Sequence, residues 1–248
     1  MDDDALLALL HESVDAVSAV LAVLEDWGSA GTRPGQYHSD LVADAAAVAV
    51  LEGAGLGVLS EESGLHGEDR PLLAVLDPVD GSTNASRRIP WYATSVCVLD
   101  AEGARAAVVA NQASGVRYEA TRGSGARRDG RTIRPSRRET LDTALIAING
   151  MPPRHLGWRQ FRALGAAALD LCAVADGTVD GYVDCVTDSH GPWDYLGGVL
   201  VCQEAGALVV DAGGRPLVAR RQADRRSPVA AATPALLAEL ATARTTFA

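Results

Sequence analysis

Apolar side chains between Asp4 and Trp27 fall at Leu6, Leu9, Leu10, Val14, Val17, Leu21 and Leu24, the spacing of one buried helix face. Acids at Asp2, Asp3 and Asp4 suit the positive end of that helix dipole. A loop with Gly and Pro over 28–38 separates it from a second helix, capped by Ser39 or Asp40 and running to about Glu52. The run Gly53-Ala54-Gly55-Leu56-Gly57 superficially offers G-x-G-x-G, but it follows a helix and precedes a strand. A dinucleotide fingerprint needs the reverse order, so a helix C-terminus and loop is the reading. Val58-Leu59 forms a short strand entering Ser60-Glu61-Glu62, and the run from Leu72 to Leu76 predicts a buried one. Strands at about 92–99, 105–111 and 116–120 have the pattern of a meander.

Beyond residue 140 the pattern changes. A strand at about 144–148 precedes a helix over 158–175, with Phe161, Leu164, Leu171 and Val174 on one face. Strands follow at 180–186, 207–211 and 228–232, with a helix starting near Pro192 and a closing helix from Pro234. The first half segregates helices from strands and the second alternates them. The expected class is α/β, with an α+β lobe over 1–140 and an α/β lobe over 141–248.

Composition narrows the function. The chain's 248 residues, 48% of them hydrophobic, suffice for a substantial core. Its formal charge of −10 argues against a nucleic-acid-binding surface. All 22 basic residues are Arg, so a cationic role falls to Arg, His or a metal. Eight of them lie between Arg117 and Arg138 among glycines. That segment reads as a solvated hairpin and connector, the alternative being attraction of an anionic substrate. Cys97, Cys172, Cys185 and Cys202 show no C-x-x-C spacing and lie in apolar runs, which suits buried free thiols in a reducing cytoplasm. The acidic N-terminus is the wrong sign for a signal peptide, and no uninterrupted apolar run approaches the roughly 18 residues of a membrane span. Cytoplasmic localisation without membrane contact is the expectation.

The chemistry concentrates in Asp77-Pro78-Val79-Asp80-Gly81-Ser82-Thr83-Asn84, directly after the apolar run. A buried strand there would deliver two carboxylates and a glycine turn to a sheet end. Carboxylates are hard oxygen ligands, and backbone N–H groups at a helix start receive phosphate. Glu61 and Glu62 end the preceding strand, and Asp194 follows Pro192 at a helix start. Taken singly, Asp194 is a helix cap, Glu61-Glu62 a solvated turn and 77–84 a tight turn. Taken together they can converge on one cleft, where a divalent cation would remove the cost of clustered like charges. The D-x-D-x-[TV] signature of haloacid-dehalogenase phosphatases and the G-x-S-x-G of serine hydrolases are both absent.

Ser60-Glu61-Glu62-Ser63, the run from Asp77 to Asn84 and Trp193-Asp194-Tyr195-Leu196-Gly197-Gly198 together resemble the inositol monophosphatase family of Mg²⁺-dependent, Li⁺-sensitive phosphatases. The patterns D-P-[ILV]-D-G-[ST]-x-N and W-D-x-x-[AG]-[AG] are intact. The resemblance implies a layered αβαβα sandwich of the inositol monophosphatase/fructose-1,6-bisphosphatase type, a homodimer, and two to three Mg²⁺ per site. It implies that Glu61, Asp77 and the carbonyl of Val79 hold one Mg²⁺. Asp77, Asp80 and Asp194 would hold a second, and Glu61 would help a looser third. Gly81 and Ser82 N–H groups would cradle the phosphate, and Ser82 with Asp40 would orient and help deprotonate the attacking water. Glu61, Ser82 and Asp40 are thus the catalytic set. Asp80, Gly81, Ser82, Asp184 and Asp194 are the substrate contacts.

The chain departs from the family pattern in four places. Asp40 sits in His38-Ser39-Asp40 where the family has Thr-x-x-Asp, Arg33 is the only cation near the family's loop Lys, the spacing from Asp184 to Trp193 is longer than usual, and Ala166 replaces a small hydroxyl residue. The implied substrate is inositol 1-phosphate or a similar polyol or sugar monophosphate. Histidinol phosphate, fructose 1,6-bisphosphate and 3′-phosphoadenosine 5′-phosphate are alternatives. A non-catalytic metal- or ligand-binding module of the same fold is the reading from another class.

Overall fold

The computed structural model describes residues 1–31, 33 and 35–247. Its first helices are α1 (Asp3–Ala22), whose first turn is capped by Asp2 Oδ1 accepting from the Ala5 amide at 2.8 Å, and α2 (His38–Gly53). Strands β1 (Gly57–Ser60), β2 (Gly64–His66) and β3 (Leu73–Asp80) precede the short α3 (Ser82–Ser86). A meander follows: β4 (Ala93–Asp100), β5 (Gly103–Asn111), β6 (Arg117–Thr121), β7 (Gly125–Arg128) and β8 (Arg131–Thr132). These eight strands form one sheet in the order β2-β1-β3-β4-β5-β6-β7-β8, parallel only between β1 and β3.

The rest of the chain contributes β9 (Leu145–Asn149), β10 (Gln160–Arg162), α4 (Ala167–Ala175), β11 (Gly181–Asp184), α5 (Pro192–Ala205), β12 (Leu208–Asp211), β13 (Pro228–Ala231) and α6 (Pro234–Thr245). Its five strands run β10-β9-β11-β13-β12. The helix expected over 158–175 begins only at Ala167; residues 160–162 are instead an edge strand parallel to β9. Gly165 at φ +88° breaks any helix there, and Phe161, 42% exposed, packs its ring against Trp158 at 5.9 Å. The helical spacing of Phe161 and Leu164 with later residues was accidental.

Strand alternation explains the layers. In the large sheet Val58, Ala74, Leu76, Val96 and Val108 join a core with Leu6, Leu10, Val14 and Val17 of α1 and Ala47 and Leu51 of α2. Their neighbours Leu59, Val75, Cys97 and Val109 point the other way, into a core shared with α4, α5 and the second sheet's Ala147, Tyr182 and Ala230. On the far side of that second sheet, Ile146, Ile148, Val183 and Val229 pack with Leu236 and Leu240 of α6. Five layers, αβαβα, result. By length and composition α1 could cross a bilayer, but its apolar stripe is the inner wall of the first core, each such side chain contributing about 1.5–3 kcal/mol on burial. Cys97, Cys172 and Cys202 are buried free thiols and Cys185 is half-buried.

The central layer needs close approach. A Cβ on Gly197 would meet Ser95 Oγ at 2.6 Å, and one on Gly198 would meet Leu171 Cβ at 2.6 Å. This glycine pair therefore lets α5 lie between the large sheet and α4, with the N-terminus of α5 brought to the end of β3.

Candidate metal centre

Residues three apart on a regular strand face opposite sides. In β3, Asp77 pairs with Ser95 and Asp80 with Ala93, so three steps on one strand oppose two on the other. This bulge, at Pro78 where no N–H can join the ladder, restores Asp77 and Asp80 to a common side. Thr94 Oγ1 donates to the Pro78 carbonyl at 2.8 Å and the Val79 amide to Asp77 Oδ1 at 3.0 Å, which fixes the kink. Val79, buried and skipped by the ladder, lies between them. Gly81 then adopts φ +85° and turns the chain into α3.

Glu61 follows β1, the parallel neighbour of β3, and its amide donates to the Leu76 carbonyl at 3.1 Å. Asp194, third residue of α5, accepts from the Gly191 amide at 2.6 Å. Ligand atoms of Glu61, Asp77 and Asp194 lie within 4.8 Å of one another. Asp80 sits beside this trio, with Oδ2 accepting from the Ala168 amide at 2.7 Å. The trio joins Glu61 of the first expected ligand set to Asp194 of the second through Asp77, the member common to both.

The electrostatics are those of an uncompensated cluster. Burial, then the charges of Asp194 and Glu62, pushes Glu61 up to about 8. Burial and Asp194 push Asp80 up to about 7, despite the Ala168 amide. Burial, followed by Glu61, Asp80 and Asp194, holds the proton of Asp77 well above the carboxylate range. Asp77 and Asp194 each spend one oxygen on a backbone amide and leave the other without a partner among the described residues. An all-oxygen donor set with spare lone pairs and excess negative charge fits a hard divalent cation.

Asp40, the third residue of α2, accepts from the Tyr37 amide at 2.8 Å, so Tyr37 and neither Ser39 nor Asp40 is the cap residue. Burial raises Asp40 to about 7. It shares with Glu61, Glu62, Ser82, Trp193, Arg33 and Gln222 a polar cleft of about 280 Å³. Tyr37 Oη and Thr83 Oγ1, 3.1 Å apart, tie the start of α2 to α3. Arg33 pairs with Glu62 at 2.6 Å.

Asp184 is not brought to the cleft. It is fully buried, and its carboxylate accepts from Asn149 Nδ2 at 2.9 Å, the Val186 amide at 3.0 Å and Ser189 Oγ at 2.7 Å. Those three donors hold it within the second sheet's end, and it does not line the cleft. The Arg-rich segment also lies elsewhere: Arg117 pairs with Asp15, Arg122 with Asp100 and Arg128 with Asp176 along the outer strands.

Sequence reasoning missed His190, Gln222 and Arg225. His190 Nδ1 lies 3.4 Å from Asp194 Oδ2, and its Nε2 is 2.8 Å from Tyr182 Oη. Against the opposing effect of burial, Asp194, Asp184 and Asp80 raise it to about 9. Its place three residues before Trp193 was the available signal. For Gln222 and Arg225 there was none.

Comparison with known proteins follows the same lines. The sequence model of the inositol monophosphatase family matches residues 52–246, which leaves Arg33 and Asp40 outside the matched stretch. The chain is 34% identical over 227 residues to a fructose-1,6-bisphosphatase/inositol-1-monophosphatase of Archaeoglobus fulgidus, covering 88% of each. It is 36% identical over 172 residues to the Nus factor SuhB of Escherichia coli, spanning 63% of that protein's length. Among solved structures, the inositol monophosphatase of Anabaena superposes with a TM-score of 0.82 at 25% identity, over 99% of this chain and 97% of that one.

Proposed function

The chain belongs to the inositol monophosphatase family, and from that premise we propose that it is a Mg²⁺-dependent phosphomonoesterase acting on a small polyol or sugar phosphate, inositol monophosphate first. The observation that carries this reading is the meeting of Glu61, Asp77 and Asp194, from three separate elements, within 4.8 Å. With Asp80 and the Val79 carbonyl they are the groups that would hold the cations. Bound there, divalent cations would supply Lewis-acid neutralisation of the phosphoryl oxygens and lower the pKa of water.

The remaining work falls to the chain. The N–H groups of Gly81 and Ser82 receive the phosphoryl oxygens at the turn after β3. Ser82 Oγ orients the attacking water, and Asp40, raised to about 7, is matched to accept its proton near neutral pH. The water oxygen forms a new P–O bond in line as the bond to the substrate's ester oxygen breaks, and that oxygen keeps the bonding pair and takes a proton from solvent to leave as the alcohol. No side chain is phosphorylated. The 280 Å³ cleft suits a small substrate. We place the protein in the cytoplasm, as a homodimer, with no nucleic-acid or membrane partner.

A second reading is a non-catalytic metal- or ligand-binding module, favoured by the relatives named Nus factor SuhB and by the altered surroundings of Asp40. Phosphate release from a panel of inositol, sugar and nucleotide phosphates, with and without Mg²⁺, separates the two. Mg²⁺-dependent release that Li⁺ suppresses is expected; Mg²⁺ binding with no turnover on any substrate would leave the module.

A further inference from the structure

The loop between β12 and β13 returns across the molecule to the metal centre. Gln222 Nε2 donates to the Glu61 carbonyl at 3.3 Å, and Gln222 and Arg225 line the cleft with Asp40, Glu61 and Ser82. Arg225 is held from two sides. Its Nη1 donates to the carbonyls of Gln222 at 2.7 Å and Asp224 at 2.8 Å, and its guanidinium carbon lies 5.2 Å from the ring centroid of Trp193, the neighbour of Asp194. These contacts fix the planar fork, while Nε and Nη2 take no partner among the described residues.

That condition sets it apart from the surrounding cations. Arg33, across the same cleft, is neutralised by Glu62. In the loop itself Arg215 is spent on Asp211 and Asp188, and Arg221 on Asp224. Arg220 and Arg226 donate to the carbonyls of Asp100 and Pro216. Beside Arg225, Gln222 Oε1 is buried without a hydrogen-bond partner among the described residues, an acceptor suited to a ligand hydroxyl. A held guanidinium with donors to spare recognises a planar or tetrahedral oxyanion in bidentate fashion. Its seat on Trp193 differs from the turn at Gly81 and Ser82, where the scissile phosphate is received.

Resting on the phosphomonoesterase reading, we propose that Arg225 is a specificity-determining residue that receives a second anionic group of the substrate. The preferred class is then a small hydroxylated phosphomonoester that also carries a further phosphate or a carboxylate. The anion draws its recognition from Arg225, and the hydroxyl from Gln222.

The test compares the Mg²⁺-loaded full chain with its Arg225→Gln and Arg225→Lys variants. Fructose 1,6-bisphosphate is measured against inositol 1-phosphate, and 3-phosphoglycerate against glycerol 3-phosphate. Arg225→Gln is expected to lower the ratio of kcat/KM for dianchored over singly charged substrates about 10- to 100-fold, chiefly through KM, as loss of a charge-assisted contact does. Arg225→Lys, charged but without the fork, recovers part of it. A fall in the first pair alone assigns the group as phosphate; a fall in both admits carboxylate. Ratios unchanged within about twofold overturn the inference while leaving the phosphatase standing. If wild type releases phosphate from none of these probes, the parent reading fails, and calorimetric titration with the same probes decides for Arg225. Selective weakening of fructose 1,6-bisphosphate binding in Arg225→Gln sustains the role, and equal binding removes it.

Discussion

Asp77 and Asp211 are the same residue type, 1% and 4% exposed, in strands of the two sheets. Burial drives the proton affinity of both upward. At Asp77 the next influences are Glu61, Asp80 and Asp194, which add to it. At Asp211 they are the Arg215 side chain, 2.7 Å away, and the Ser227 amide at 2.8 Å, which outweigh burial and hold the carboxyl below its usual range. One region closes its charge with the chain's own cation. The other gathers acids and offers backbone amides and a single His, so its charge waits for something from outside. A buried acid cluster of the second kind marks a binding site, whereas one of the first kind is architecture.

The largest expected effect separates the regions by activity. Asp80→Asn and Asp194→Asn should each lower turnover at least about 10³-fold, roughly 4 kcal/mol of barrier, measured as phosphate release under saturating Mg²⁺. Both should fold. The asparagine carbonyl can still accept from the Ala168 or Gly191 amide, and one repulsive charge is gone. Near-normal turnover would mean that these acids do not hold the catalytic cation.

The acids of the candidate metal centre were legible because they lie in short runs whose order carries the meaning: Glu61 after a strand, Asp77 to Asn84 at the next, Trp193-Asp194 at a helix start. The αβαβα layering came with the family resemblance that those runs carry; the apolar pattern alone reached only an α+β half and an α/β half. Contacts made over long sequence separation were not legible. Arg225 is one of five arginines between Arg215 and Arg226, and only the fold tells which faces the cleft unpaired. Asp184 was singled out by position along the chain, and the donors that hold it, from 149, 186 and 189, could not be read there. At 158–165 the apolar spacing favoured a helix, and the left-handed glycine at 165 overruled it.

A smaller effect tests the charge of this acid cluster through stability. Glu61 at about 8, Asp80 at about 7 and Asp40 at about 7 all bind protons more tightly in the folded chain than in the unfolded one. Their contribution is complete below the unfolded carboxylate pKa and is lost as pH rises through 7 to 8. His190, raised to about 9, acts in the same direction. The metal-free protein should therefore be less stable, and melt at a lower temperature, at pH 8 than at pH 6. Mg²⁺, which binds the deprotonated acids, should stabilise more at pH 8 than at pH 6. A metal-free melting temperature that climbs over this interval would contradict the uncompensated cluster.

The smallest effect belongs to the self-closed region, and its sign should be opposite. Asp211→Asn keeps the shape and an acceptor for the Ser227 amide but places an uncharged amide against Arg215. Arg215 is well exposed and retains Asp188, so it turns partly to solvent; the discounted cost is about 1–2 kcal/mol. Because the Asp211 pKa is depressed in the folded state, its contribution is present above the unfolded value near 4 and is lost as pH falls through the lower folded one. The stability gap between wild type and variant, followed by urea unfolding, should thus be constant from pH 6 to 8, where the metal centre changes most, and narrow only in acid. Mg²⁺ should leave that gap untouched. A gap that closes on adding Mg²⁺ would tie Asp211 to the metal centre and erase the distinction between an acid the chain neutralises itself and one it holds open for a guest.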